Sequence, residues 1–216
     1  MNEPTTQPKP RRRRSRGFIL ALGIVFVALI AFLLFAHPFL AVTQRVDADL
    51  LIVEGWIPGY MMPPAAQEFK DGKYSLFFVS GLLSDPAAEK SAVEPEPVRT
   101  AARLAELGVP RDAIITSPAP FARWRRTAKM ADAVREKIAA LGLKPKGINV
   151  ITAGPHARET WVAYQHAFGA EMPIGIISIP KNNYPADRWW LSRQGLIWVP
   201  KDFLAWLKEV IFGLRS

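Results

Sequence analysis

The chain contains no cysteine, which excludes disulfides, thiol catalysis and cysteine-ligated zinc. Histidine is scarce, at three residues, and none stands in a His-Glu-x-x-His spacing, so no metal site is read. No cofactor is legible either. A Gly-x-Ser-x-Gly elbow is missing too, although a serine nucleophile needs an adjacent base and a defined turn. The longest absence is one of charge: residues 17–44 hold no Asp, Glu, Lys or Arg. About 20 apolar residues cross a bilayer core, so 17–42 is read as a transmembrane anchor in contact with lipid. A cleavable signal peptide is the rival, but its apolar core is only about 7–15 residues and ends in small residues. Here Ala36-His37-Pro38-Phe39-Leu40 follows the run.

Charge is concentrated at one end. The net charge is +9, and residues 1–16 hold six basic residues against Glu3, leaving +4 for the remainder. Positive residues beside a span stay in the cytoplasm. The expectation is a single pass through the inner membrane, with a basic cytoplasmic tail (1–16) and a periplasmic domain (45–216). A nucleic-acid binder would carry a basic stripe on its folded part, so none is expected as partner. Residues 45–216 suffice for one core.

Five apolar runs recur in that domain, at 49–53, 75–79, 113–116, 149–152 and 174–179, each closing in turn-forming residues. Continuous rather than alternating runs suit strands buried on both faces of a parallel sheet. Helical patterns separate them, at 64–70, 97–107 and 123–141, the last with Trp124, Thr127, Ala131, Val134, Ile138 and Leu141 on one stripe. Alternation predicts a Rossmann-like three-layer α/β/α fold with a mostly parallel five-stranded sheet. Residues 200–214 form a greasy amphipathic helix that either covers the sheet or rests on the membrane beside the anchor. Trp189-Trp190 is read as core packing or as a stacking platform for sugars.

The runs ADLLIVEG and VSG, the segment from Glu96 through RLAELGVP, the RRT at 125–127 and the strand-turn VITAGPHAR resemble the SanA/YdcF/ElyC-like family of bacterial envelope proteins over about residues 46–180. The resemblance implies a Rossmann-like domain, often behind one anchor, and a role in envelope integrity, without an agreed reaction. The chain departs from the pattern in places. One glycine, Gly55, remains after the first strand, Lys129-Met130 replace a Glu-Asn pair, and Arg158 stands two positions after His156 rather than three.

The candidate site follows from the topology. Ligands of open parallel sheets bind at the carboxyl edge of the strands, where free N–H groups at helix starts favour anions. Two turns qualify. Gly154-Pro155-His156 precedes a helix whose first turn holds Arg158, and Arg123, Arg125, Arg126 and Thr127 precede another. Arginine at a helix start opposes the dipole, so an anion is expected there, or else pairing with Asp85, Glu89, Glu94 or Glu96. His156 is the candidate acid or base, partnered by Glu54 or Glu96, although a cap or a simple donor is the plainer reading. The expected binding set is Glu54, Gly55, Ser80, Gly81, Glu96, Arg126, Thr127, Gly154 and Arg158, taking a phosphorylated or carboxylated envelope precursor. Two alternatives stay open: an enzyme on a lipid-linked cell-wall intermediate, and a non-catalytic scaffold at the membrane.

Overall fold

The computed structural model describes residues 12–84 and 94–213. They fall into two units, 1–36 and 37–216. Helix α1 (Arg12–Leu40) contains an apolar span, Gly17–Leu40, of mean hydropathy 3.2, long and apolar enough to cross a membrane.

The second unit is a five-stranded, all-parallel sheet in the order β3-β2-β1-β4-β5. Its strands are β1 (Leu50–Glu54), β2 (Leu76–Leu82), β3 (Ile114–Ala119), β4 (Ile148–Ala153) and β5 (Ile174–Ile179). Each crossover carries a helix: α2 (Met62–Asp71), α3 (Glu96–Glu106), α4 (Arg126–Ala140) and α5 (Ala157–Phe168). A sixth, α6 (Arg193–Gly213), follows β5 and packs on α5. Alternate strand residues point to opposite faces, and the core divides accordingly. Leu51, Val53, Phe77 and Val79 meet Met62, Ala66 and Phe69 of α2 and Leu104 of α3 on one side. Leu50, Ile52, Phe78 and Val150 meet Ala131, Val134 and Ile138 of α4 and Tyr164 of α5 on the other. The expected α/β fold is present.

The chain builds β1, β2 and β3 outward in one direction, then returns to lay β4 on the other side of β1. Strand order reverses there, and in open parallel sheets ligands bind at the carboxyl ends of the strands that flank such a point. Beyond β5, Gln44 forms an antiparallel bridge with Ile176, and Thr43 Oγ1 accepts the N–H of Ser178 at 3.0 Å. These bonds tie the segment after the span to the sheet edge.

Several boundaries differ from the pattern reading. Ser80 and Gly81, expected in a loop, lie inside β2. Ser117 and Pro118 lie inside β3, where an edge position tolerates a proline that cannot donate on its open side. Trp124 precedes α4 and is exposed rather than part of its buried stripe. Helix α6 starts at Arg193, so Pro200 lies within it; a proline usually marks a helix start, which is why the pattern placed the start late. Trp189 is buried, with Trp190 edge-on at 6.0 Å, so it is a packing residue.

Candidate functional site

At the switch point β1 ends on Glu54, which is completely buried. Its Oε2 accepts a hydrogen bond from Thr152 of β4 and another from Thr160 of α5 at 3.3 Å, while Oε1 has no protein partner. A buried carboxylate with half its acceptor capacity unused is costly unless a cation or proton is near. His156 is that neighbour: its Nε2 stands 3.9 Å from Glu54 Oε2.

The local chain explains how His156 arrives there. After β4, a 3-10 turn, Gly154–His156, leads into α5. Gly154 has φ +51°, which glycine adopts without penalty, and its carbonyl accepts the Ser178 hydroxyl at 3.0 Å. The imidazole keeps 15 % of its surface. Its Nδ1 is 3.2 Å from Glu159 Oε2 and 3.7 Å from Asp202 Oδ1, and the ring meets Trp56 edge-on at 5.0 Å. Its Nε2 is 3.4 Å from the hydroxyl of Thr127, which itself donates to Glu159 Oε1 at 3.2 Å.

Charge follows from this geometry. Burial works to lower the His156 pKa, but Glu54, Asp202 and Glu159 outweigh it and push it up to about 9. Burial raises the Glu159 carboxyl above the usual range, partly offset by His156. Asp202 is held below its ordinary value, because His156 and Lys181 together outweigh its burial; Lys181 Nζ lies 3.4 Å from its Oδ2. A doubly protonated ring fits the hydrogen bonds. Nδ1–H faces Glu159 and Asp202, Nε2–H faces Thr127 Oγ1, and the Thr127 proton goes on to Glu159. At neutral pH the site therefore holds a proton donor rather than a base.

The expected residues divide into three groups. His156, Glu54 and Thr127 come together. Gly55, Ser80, Gly81 and Gly154 shape the strand ends. The N–H of Gly55 donates to Ser80 O at 2.6 Å and its carbonyl accepts from Thr100 at 2.8 Å, while a Cβ on Gly55 would stand 2.8 Å from Ser80 O. A Cβ on Gly81 would meet Pro97 Cγ at 2.7 Å. Ser80 donates to Val53 O and accepts from the buried Tyr164 hydroxyl at 3.3 Å, and it pairs in register with Glu54 on β1.

The charged candidates form the third group. Glu96 opens α3, where an acid suits the helix dipole, and His156 takes Glu54 rather than Glu96 as partner. Arg126 is exposed at the first position of α4, with no ion pair among the described residues. Arg158 is committed elsewhere: its Nε–H donates to Phe39 O, and its guanidinium lies 4.0 Å above the Phe39 ring. Arg125, in the left-handed region at φ 47°, binds the buried Glu209 of α6 at 3.0 Å. Asp85 and Glu89, alternative partners for the arginines, lie outside the described residues.

Sequence reading missed Glu159, Asp202, Thr152, Thr160, Trp56 and Lys181. Glu159 and Thr160 follow His156 by three and four positions, one helical turn, so helical spacing alone flags them. Asp202 has no such local signal. Among the described residues no group of His, Asp and Glu side chains is arranged to hold a metal ion. At the opposite, amino-terminal end of the sheet, a groove of about 430 Å³ is lined by Arg45, Glu68, Tyr74 and Asn149. These side chains bond one another, with Arg45 gripping Glu68 at 2.7 and 2.8 Å. A scan against protein-family models found no match, and a search of curated proteins found no similar sequence.

Proposed function

We propose that the chain is a membrane-anchored envelope protein that takes an anionic component, phosphorylated or carboxylated, at the carboxyl edge of its sheet and donates a proton to it from His156. In this reading the arginine-rich tail stays cytoplasmic and the domain lies on the far side of the inner membrane, as a positive flank favours. The observation that carries it is His156 set among Glu54, Glu159 and Asp202, partly open at the switch point. A histidine held as a cation is suited to general-acid work or to binding an oxyanion, and perturbed titration in a cleft is a mark of such sites. Arg126 and the first turn of α4 supply the remaining positive potential beside Thr127. Arg125, Arg158 and Lys181 are engaged by protein partners, whereas Arg126 has no ion pair among the described residues, so Arg126 is the one assigned to the anion.

The test is native mass spectrometry of the detergent-solubilised full chain. A phosphate- or carboxylate-bearing small molecule should co-purify with the parent protein, be lost from His156→Gln and be retained less by Arg126→Ala. No bound species, or the same species at the same occupancy in His156→Gln, rejects the reading. Binding without reaction is distinguished by incubating the complex: an acid–base enzyme alters the ligand mass, and a carrier leaves it unchanged.

A further inference from the structure

Helix α6 is inside out. The residues it buries include Asp202 and Glu209, which meet His156 and Lys181 in one case and Arg125 in the other. Its opposite side carries Ile197, Leu204, Leu207 and Ile211, with exposures of 51, 54, 37 and 44 %. Spacings of seven, three and four place these four residues on one stripe along the helix. A helix in water does the reverse, turning its aliphatic stripe to the core and its acids to solvent. A continuous apolar stripe facing away from the protein marks a surface that contacts something other than water.

What lies beside the stripe identifies the neighbour. The span ends at Leu40, and Phe39 meets Trp206 of α6 edge-on at 4.9 Å, with Phe203 a further 5.4 Å from Trp206. All three belong to the 37–216 unit, so α6 touches the chain at the end of the apolar span. Lys201 and Lys208 border the stripe and sit 4.4 Å over Trp198 and 5.4 Å over Trp124. Tryptophan at headgroup level with lysine reaching past it is the composition of a membrane boundary.

We propose that the outer face of α6 lies in the surface of the bilayer that the anchor crosses, with Ile197, Leu204, Leu207 and Ile211 among the acyl chains and Lys201 and Lys208 at the headgroups. An interfacial helix of this kind sinks about 5–10 Å into the boundary. This rests on the span being a membrane anchor, and is independent of any chemistry at His156.

The absence of cysteine makes the experiment clean. The full chain is reconstituted in vesicles of phosphatidylethanolamine and phosphatidylglycerol, with a nitroxide on Ile197→Cys, Leu204→Cys or Ile211→Cys. A control label sits on Asp112→Cys, an exposed site at the start of the far edge strand. Power saturation should show the three α6 labels favouring oxygen and excluding a nickel chelate several-fold more than the control. Adding Leu204→Lys to the Ile197→Cys and Ile211→Cys chains, with the circular dichroism unchanged, should restore nickel access at both labels. Equal nickel access at Leu204 and Asp112 overturns the proposal. So does protection that persists in detergent with dipolar coupling between labels, which would seat a second copy on the stripe.

Discussion

His156 sets the chemistry of the site at the residue scale, and its titration gives a prediction whose sign is fixed. Its folded pKa, about 9, lies above the unfolded value of 6.5. The stability it contributes is fully present below pH 6.5 and disappears as pH rises through about 9. Thermal unfolding followed across that range should show the parent protein losing more stability with rising pH than His156→Gln, by a few kcal/mol at most. The groups that face the ring are Glu54, Glu159, Asp202 and Lys181. Asp202→Asn removes one of the carboxylates that raise the imidazole, so NMR titration of His156 should give a lower midpoint in that variant. An unchanged midpoint would mean that Glu54 and Glu159 alone hold the proton. His156, Glu54 and Thr127 were legible because each stands where a strand run gives way to a turn or a helix begins. Asp202 was not, because only the packing of α6 against α5 brings it to the ring. Arg158 was misleading for a related reason. Its local setting beside a glycine turn advertises an anion, but its tertiary partner is the Phe39 carbonyl.

Among the elements, the strands were the most readable, since continuous apolar runs between turns report burial on both faces. Their ends were not: Ser80-Gly81 has the composition of a turn, yet β2 continues through it in register with Ser117 and Pro118 of β3, and Gly81 lets Pro97 approach closely. Gly55 marks a comparable approach on β1. Gly55→Ala forces a methyl against Ser80 O and should cost about 1–3 kcal/mol in chemical denaturation. The start of α4 carries a second prediction. Arg125 holds a left-handed conformation and answers the buried Glu209 of α6. Arg125→Ala leaves that carboxylate without its closest cation and should destabilise by about 1–3 kcal/mol. Arg125→Ala combined with Glu209→Gln should recover part of the loss. Sequence periodicity placed the α4 start three residues early because it sees apolar spacing and not the backbone sign at Arg125.

At the scale of the whole molecule, the basic tail and the uncharged run are the parts composition states most directly. Replacing the arginines at 11–14 and 16 by alanine should give mixed orientation, read by a C-terminal reporter active on only one side of the membrane. A reporter that stays entirely on the far side would show that the tail does not set the topology. The fold was legible from the alternation of runs, whereas the wrapping of 39–46 onto the sheet edge was not, since those residues carry no strand pattern. Phe39 is clipped by Arg158, Thr43 by Ser178 and Gln44 by Ile176, so residues 39–46 are part of the folded domain and not a free linker. A truncation meant to free the domain from the apolar span therefore has to keep these residues, because a cut after residue 46 strips the bonds that close the open side of β5.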